Sequence, residues 1–380
     1  MQIKAVRDHI LRTCPFLCYF SIFFNIKKLG DVIKVYRLNI TKGSLKVQNL
    51  SDYKWTFLKF CFADVKNIKV AEEFYKADIN IIIENYNIKT VNDTDVVLVC
   101  VIKDDIEKLV EFMSHYRKLG VHYFAFLDNG STDGTKEYLA MQRDVNLYYS
   151  SDFYTTYRRE AWVNRIYAYY GYNHWFVCVD SDELLAYTDC YVHKIHEVIE
   201  KVKKKRFLAL MIDLYPKGDV LNQNSLAVSS FSSYKFCDRD SYYKVSSYKM
   251  EALYGGPRKR VFSLENKGFN CRLTKYPVFF YEKGDVQGCS HYLFPFKHNF
   301  QNNVQLLIFH YKFFKSDIDK YKERAKIGNY SSGSFEYKVY ASKLKNNDPL
   351  HFYWSKSVEL KGLDKLRFLV IKGFQYEPLF

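Results

Sequence analysis

The stretch VVLVCVIKDDIEKLVEFMSHYRKLGVHYFAFLD, residues 96–128, decides the fold that the sequence predicts. It begins with a β-branched apolar run, VVLVCV, which is typical of a buried parallel strand. The residues after it have apolar side chains at helical spacing, namely Ile106, Leu109, Val110, Met113 and Leu119. Asp104 or Asp105 can cap the start of this helix and Gly120 its end. A second strand, VHYFAFL, completes a β-α-β pattern.

The same alternation continues along the chain. Strand-like runs recur at VNLYY (145–149), WFVCV (175–179) and FLALMI (207–212), with helical segments between them. Strands that alternate with helices predict an α/β fold, a Rossmann-like, mostly parallel sheet with helices on both faces. Ligands of such sheets bind outside the carboxyl ends of the strands.

The composition is that of a globular protein with excess positive charge. The 380 residues carry a formal net charge of +15, which favours anionic partners such as phosphorylated molecules or lipid head groups. The sequence contains no Cys/His finger, basic zipper or aromatic RNP motif, so we expect no nucleic-acid partner. The nine cysteines form no CxxC pair, which indicates reduced, structural thiols and a cytoplasmic location.

One segment, FLCYFSIFF at residues 16–24, is a candidate for membrane contact. It is shorter than the roughly 20 apolar residues that span a bilayer, and no small-residue cleavage site follows it. Two interpretations remain open. The segment is either a buried strand or helix, or an aromatic, cation-flanked contact that holds the protein at the inner membrane.

Acidic residues follow the strand in WFVCVDSDELLAY, residues 175–187. Residues i and i+2 of a strand point to the same side, so Asp180 and Asp182 are expected to converge while Ser181 faces away. Carboxylate oxygens there suit Mn²⁺ or Mg²⁺, which also bind phosphate oxygens, so a diphosphate is the expected ligand. The alternative is a plain turn whose acids cap the next helix.

A second acidic motif is LDNGSTDGT, residues 127–135, which predicts a strand, a tight turn and a helix start. Asp128, at the tip of the strand, is placed to accept hydrogen bonds from a base or a ribose. The motif has neither the GK[ST] of a P-loop nor the GxGxxG of a dinucleotide fold. The alternative is again a plain turn.

Three segments, VCVIKDD, HYRKLGVHYFAFLDNGSTDGTKEYL and WFVCVDSDELL, resemble in order and spacing the nucleotide-sugar domain of GT-A glycosyltransferases. The closest likeness is to the family 2-like branch related to glycosyltransferase family 92, and weaker likeness continues through ALMIDLYPKGD, GGPRKRVF, SHYLFPF and LLIFHYKFF. The resemblance implies a GT-A domain at residues 95–325. It leaves an N-terminal region of unassigned fold at 1–94 and a C-terminal extension at 326–380.

This resemblance implies transfer of a sugar from a nucleotide-diphosphate donor, with a UDP-sugar expected first, to a glycan or lipid-linked acceptor. Such enzymes often build bacterial surface polysaccharide or lipopolysaccharide. By the same resemblance, Asp128 contacts the nucleotide, and Asp180 and Asp182 form the DxD pair that holds the diphosphate through Mn²⁺ or Mg²⁺. Glu183 extends the pair to the DxDE form of the branch.

The resemblance also implies roles for four residues further along the chain, and these roles are less specific. Gly255 and Gly256 stand where a glycine-rich loop approaches the acceptor or the donor sugar. Related enzymes often use a downstream histidine as a further metal ligand, and His291 and His310 are the candidates. The alternative for each histidine is a packed, hydrogen-bonded core residue.

The sequence departs from the branch in two ways. Asp104 and Asp105 stand where the branch usually has Asn-Glu, which changes that corner of the nucleotide pocket. No Glu-Asp pair lies downstream to supply the general base of an inverting transfer, so Asp213 and Glu251 are the candidate catalytic acids. The alternative role for both acids is structural or acceptor-binding.

Two other function classes fit part of the pattern. A sugar-nucleotide nucleotidyltransferase also binds metal by carboxylates at a sheet edge, although the chain has no GxGTR-like start. A non-enzymatic, basic binding protein for nucleic acid or anionic glycan would bind polyanions in a salt-sensitive way, indifferent to metal and nucleotide.

Overall fold

The computed structural model describes residues 26–64, 66–82, 91–92, 94–220, 231–264, 266–301, 303–304, 306–314, 316–345, 349–361 and 375–376. In this part of the chain the helices are α1 (Ile26–Arg37), α2 (Leu50–Ala63), α3 (Asn67–Lys76), α4 (Ile106–Lys118), α5 (Thr135–Ala140), α6 (Thr156–Tyr170), α7 (Ile195–Val202), α8 (Gly256–Phe262), α9 (Asp317–Ile327) and α10 (Ser331–Lys343). The strands are β1 (Asn80–Ile81), β2 (Val96–Ile102), β3 (Tyr123–Asp128), β4 (Val145–Tyr149), β5 (His174–Cys178), β6 (Glu183–Ala186), β7 (Arg206–Leu214), β8 (Phe236–Asp238), β9 (Tyr242–Ser246), β10 (Glu251–Gly255), β11 (Thr274–Tyr281), β12 (Val286–Cys289), β13 (Tyr292–Phe294), β14 (Asn303–Val304), β15 (Leu306–Tyr311), β16 (Ser357–Glu359) and β17 (Gln375–Tyr376).

Nine strands form one sheet in the order β1-β4-β3-β2-β5-β11-β7-β15-β6. The neighbours β4, β3, β2 and β5 are parallel, and so are β7 and β15. The other contacts are antiparallel, with β11 inserted between β5 and β7. Six strands therefore point one way, while β1, β11 and β6 point the other. The predicted α/β fold with a mostly parallel sheet is confirmed, and the antiparallel strand in its middle was not predicted.

The quoted stretch forms a β-α-β unit, as its pattern predicts. Strands β2 and β3 are parallel, with Leu98 opposite Phe124. Successive side chains along both strands are buried, which means that both faces of this part of the sheet are covered. Helix α4 buries Leu109 and Phe112, whereas Val110 is 58% exposed, so the buried face of the helix differs from the predicted one at Val110.

The start of α4 is capped from outside the helix. Asp105 occupies the capping position, but its side chain makes no capping hydrogen bond. The backbone amide of Ile106 instead donates to Oδ2 of Asp133 at 3.1 Å. Asp105 is therefore the N-cap residue, as predicted, but the loop after β3 supplies the carboxylate that accepts the hydrogen bond. Asp105 is left to accept a hydrogen bond from Ser181 Oγ at 2.7 Å.

The direction of the strands brings charged residues together at one edge of the sheet. β5 ends shortly before Asp180, Asp213 is the penultimate residue of β7, and Lys312 follows β15. β6 and β11 run the opposite way and place residues near their starts, Glu183 and Lys275, at the same edge. This carboxyl edge is where ligands of such sheets bind.

Segments from both ends of the described chain pack around this sheet. Helix α3 packs on α6, and β1 extends the sheet by pairing with β4. Helices α9 and α10 pack on each other, and α10 also contacts α8. The expected boundary between residues 325 and 326 lies within α9.

The candidate membrane contact at residues 16–24 lies outside the described residues. Among the helices that the structure describes, none is both long enough and apolar enough to cross a bilayer. The seven cysteines in the same part of the chain are free thiols, and six of them are buried. The prediction of unpaired, structural cysteines is confirmed at these positions.

Candidate active site

A cavity of about 1430 Å³ opens at the carboxyl edge of the sheet. Its wall comes from the segments after β2, β3, β5 and β15, from β11, and from α9 and α10. Eleven Lys and Arg residues and ten Asp and Glu residues line it. The cavity is larger than the roughly 300–1,000 Å³ of most small-molecule pockets, and its wall charges nearly balance.

Asp180, Ser181 and Asp182 form a turn between β5 and β6, which corrects the expectation of an extended strand. The amide of Glu183 donates to the carbonyl of Asp180 at 3.1 Å, and the amide of Asp180 donates to Glu183 Oε2 at 3.0 Å. Strand alternation therefore does not set the directions of these side chains. Ser181 donates to Asp105, so it is part of the site's hydrogen-bond network.

Each carboxylate of this turn is paired with a basic side chain. Asp180 Oδ2 lies 2.9 Å from Lys275 Nζ, and its Oδ1 lies 2.8 Å from Arg159. The same Lys275 ammonium group lies 2.5 Å from Oε1 of Glu183. The sequence did not indicate either basic residue, because Lys275 lies in a mostly apolar strand and Arg159 is one of several charged residues of its helix.

Asp182 is paired separately. Its Oδ2 lies 2.6 Å from Lys312 Nζ, a residue placed directly after β15. Burial by itself opposes ionisation, but the positive charge of Lys312 outweighs it and lowers the pKa of Asp182. Burial is likewise outweighed at Asp180, where Lys275 holds the pKa well below its ordinary value. Both carboxylates are therefore charged across the physiological pH range.

The register of three strands lines up Glu183, His310 and Asp213. His310 on β15 stands opposite Glu183 of β6 on one side and Asp213 of β7 on the other. Asp213 Oδ1 lies 2.5 Å from His310 Nδ1, and Asp213 Oδ2 accepts a hydrogen bond from Arg258 Nε at 2.9 Å. Burial opposes the charge of Asp213, but Arg258 and His310 lower its pKa to about 2.

Asp213 therefore orients His310 and does not itself line the described cavity wall. A neutral imidazole with its proton on Nδ1, facing this carboxylate, presents an unprotonated Nε2 on the other side. That Nε2 lies 3.7 Å from Asp182 Oδ2. This arrangement of carboxylate, histidine and an outer ligand site is the one that proteins use around metal ions.

Asp182, Glu183 and His310 form a buried group that can hold a metal ion. One ligand atom from each lies within 4.8 Å of the others. Two carboxylates and one imidazole suit Mn²⁺ better than Mg²⁺, which prefers oxygen ligands alone. Burial raises the pKa of Glu183 despite the nearby Lys275, so an added cation would favour its charged form.

Asp213→Asn is expected to weaken Mn²⁺ binding about 10- to 100-fold, because the amide no longer holds His310 in the ligand tautomer. The control is Glu251→Gln, which removes the charge of the other candidate catalytic acid. Mn²⁺ titration monitored by electron paramagnetic resonance measures both. Equal Mn²⁺ affinity in Asp213→Asn and the unmodified protein would contradict a positioning role for Asp213.

Glu251 lies away from the site. It is buried in β10, where it forms an ion pair with Lys244 and accepts a hydrogen bond from Ser246 Oγ at 3.3 Å. The cavity-lining residues in the described part of the chain do not include it. Its contacts correspond to the structural role that the sequence left open.

Gly255 and Gly256 are adjacent to the cavity but do not line its described wall, whereas Tyr254 and Arg258 do. Gly255 has φ of +116°, and a Cβ added there would lie 2.0 Å from the carbonyl oxygen of Ser241. Gly256 also has a positive φ. Glycine is needed here because the backbone has positive φ and passes close to another backbone segment at Ser241. This path of the backbone places Arg258 on helix α8 next to Asp213.

Asp128 is fully buried at the end of β3. Its Oδ1 accepts hydrogen bonds from the amides of Gly130 and Ser131, both at 3.0 Å. Its Oδ2 has no hydrogen-bond partner among the described residues. Asn129 and Gly130 line the described cavity wall and Asp128 does not, so Asp128 fixes the turn that faces the cavity.

His291 lines the cavity but stands apart from the group of Asp182, Glu183 and His310. Its Nδ1 lies 2.8 Å from the carbonyl oxygen of Thr274. Burial, followed by the charge of Arg272, lowers the pKa of His291 well below its ordinary value, so its ring is neutral. The structure thus brings His310, and not His291, to the acidic turn.

A second buried ion-pair network adjoins the turn through Ser181. Asp105 Oδ1 lies 2.8 Å from Lys320 Nζ and 3.3 Å from Lys108 Nζ. Lys108 also lies 2.6 Å from Asp317 Oδ1, the first residue of α9. This network joins α4 to α9 beside the cavity. The glycosyltransferase branch that the sequence resembles usually has Asn-Glu at positions 104 and 105. In this chain, Asp105 instead forms ion pairs with Lys320 and Lys108.

No protein-family model matches the chain, and no curated protein matches it. The geometry of the site is therefore the basis on which its function is assigned.

Proposed function

We propose that the protein is a metal-dependent glycosyltransferase that moves a sugar from a nucleotide-diphosphate donor to a glycan or lipid-linked acceptor. The observation that carries the proposal is the buried group of Asp182, Glu183 and His310 at the carboxyl edge of the sheet. A metal site next to lysine and arginine side chains suits a diphosphate, because both the metal and these side chains bind phosphate oxygens. The resemblance of residues 95–325 to GT-A glycosyltransferases implies the same chemistry.

The cavity supports a reaction between two substrates. Its volume of about 1430 Å³ exceeds that of a typical single-ligand pocket, which leaves room for a donor and an acceptor together. Half-buried aromatic residues on and just before α10 form part of its wall, including Tyr330 and Tyr337. Aromatic faces of this kind pack against sugar rings and nucleobases.

In the proposed reaction, the oxygen of an acceptor hydroxyl forms the new glycosidic bond as the bond from the anomeric carbon to the phosphate oxygen breaks, and the departing diphosphate takes the hydroxyl proton. A bound Mn²⁺ or Mg²⁺ supplies charge stabilisation for the departing nucleoside diphosphate. Asp213 holds His310 in its ligand tautomer, and Asp182 and Glu183 supply carboxylate oxygens. Basic side chains in the cavity wall offset the remaining phosphate charge.

The same proposal includes a cytoplasmic location with peripheral contact at the inner membrane, where lipid-linked acceptors for surface polysaccharide or lipopolysaccharide are extended. The net charge of +15 supports it, because anionic lipid head groups attract such a surface.

The experiment that tests the proposed function is calorimetric titration of the protein with UDP, GDP and CMP, each with and without Mn²⁺. We expect one nucleotide, UDP first, to bind in a metal-dependent way. Asp182→Asn is expected to abolish this binding, and Asp144→Asn, a change at a surface carboxylate, is the control. Salt-sensitive binding of polyanions, with no response to any nucleotide in the folded protein, would overturn the proposal in favour of a basic binding protein.

A further inference from the structure

We propose that Lys275 and Lys312 bind the donor diphosphate, and that they leave the metal-binding carboxylates to do so. A divalent metal ion and a diphosphate would then bind cooperatively. This inference rests on the proposed function of the same site and deepens it by assigning the phosphate-binding side chains.

The two lysines bond to the two carboxylates of the group that can hold a metal ion. Lys312 Nζ lies 2.6 Å from Asp182 Oδ2, the oxygen that also lies 3.7 Å from His310 Nε2. Lys275 Nζ lies 2.5 Å from Glu183 Oε1. Two of the three candidate ligands are thus each paired with an ammonium group.

A metal ion and these ammonium groups cannot share the carboxylates without strong repulsion between like charges. Lys275 and Lys312 must therefore move away when the metal binds. Both side chains line the cavity, and Lys275 is only 3% exposed. Lys275 keeps Asp180, whose Oδ2 lies 2.9 Å from its Nζ. The ammonium group of Lys312 needs a new anionic partner, and a diphosphate in the cavity supplies one to it and draws Lys275 as well.

Other basic residues of the cavity differ in this respect. Arg258 is paired with Asp213 and Glu336, and Lys320 is paired with Asp105. These carboxylates lie outside the metal-binding group, so a metal ion does not displace their partners. Lys312, through Asp182, and Lys275, through Glu183 but not through Asp180, are therefore the cations whose contacts depend on the metal.

Cooperativity follows from this exchange. The metal releases the two lysines toward phosphate, and phosphate draws the lysines away from the carboxylates that bind the metal. Linkage requires the two effects to be equal, and couplings of this kind are typically about 5- to 150-fold in affinity. Loss of one lysine removes a competitor of the metal and a ligand of the phosphate at once.

The test is titration of the full chain with Mn²⁺, monitored by electron paramagnetic resonance, with and without inorganic pyrophosphate and with correction for Mn²⁺ bound to pyrophosphate in solution. In the unmodified protein, pyrophosphate is expected to raise the Mn²⁺ affinity about 5-fold or more. In Lys312→Met, Mn²⁺ alone is expected to bind about 5-fold or more tightly than in the unmodified protein, and the effect of pyrophosphate is expected to shrink. Lys275→Met provides the same test if Lys312→Met does not fold.

Lys320→Met is the matched control, because it removes a cavity lysine that is paired outside the metal-binding group. It is expected to leave the affinity for Mn²⁺ alone unchanged. Unchanged or weaker Mn²⁺ binding in Lys312→Met, or no Mn²⁺ binding to any of these proteins, would overturn the inference. Cooperativity with pyrophosphate in a protein that binds no nucleotide would support the inference while the proposed glycosyl transfer fails.

Discussion

Asp182→Asn is expected to lower the rate of glycosyl transfer about 1000-fold, equivalent to roughly 4 kcal/mol of transition-state stabilisation. Asn is nearly the same size as Asp but carries no charge, so it provides a much weaker ligand for a divalent ion. The Asp182 carboxylate lies closest to His310 Nε2 and Lys312 Nζ, and both contacts depend on its charge. Release of nucleoside diphosphate from the donor identified by calorimetry measures the rate.

Asp144→Asn serves as the control for this substitution. Asp144 is a partly exposed carboxylate paired with Arg117, away from the cavity-lining residues, and its change is expected to leave the rate within about 2-fold. Circular dichroism verifies that both variants are folded. An Asp182→Asn variant that retains a third or more of the unmodified rate would rule out the proposed metal role.

Lys108→Met is expected to reduce the free energy of unfolding by about 3–5 kcal/mol. The ammonium group of Lys108 lies between Asp105 and Asp317, and its side chain is only 3% exposed. Its removal leaves two buried carboxylates short of a positive partner. The loss should fall near the lower limit, because Lys320 still pairs with Asp105.

Urea unfolding measures this loss, with Arg117→Met as the matched control. Arg117 forms an ion pair of similar length with Asp144, but those side chains are 38% and 30% exposed. Solvent screens such a pair, so its loss is expected to cost about 1 kcal/mol or less. Equal losses of unfolding free energy in Lys108→Met and Arg117→Met would contradict the stabilising role of the buried ion pairs of Lys108.

The sequence predicted the parts of the site that follow from local pattern. The apolar run that ends at Val179 identified a strand, and the acids after it had to lie at the carboxyl edge of a sheet. The detailed geometry did not follow, because Asp180 and Asp182 lie in a turn and not in a strand. The GT-A assignment stays a prediction that rests on the resemblance.

The partners of these acids were beyond local pattern. Lys275 is separated from Asp180 by 95 residues in the chain, and Lys312 from Asp182 by 130. They meet only because β11 is inserted antiparallel between β5 and β7, and because β15 lies next to β6. Hydrophobic periodicity reports the existence of a strand but not its place in the sheet.

The edge position of β6 has a consequence for biosynthesis. β6 pairs with β15, so the ribosome must add more than a hundred residues before β6 can join the sheet. Such distant contacts cost more chain entropy and form later than the first β-α-β units, which emerge early. A translation product that stops between β6 and β15 therefore contains the strands from β2 to β5 but lacks His310 and Lys312 of the candidate site.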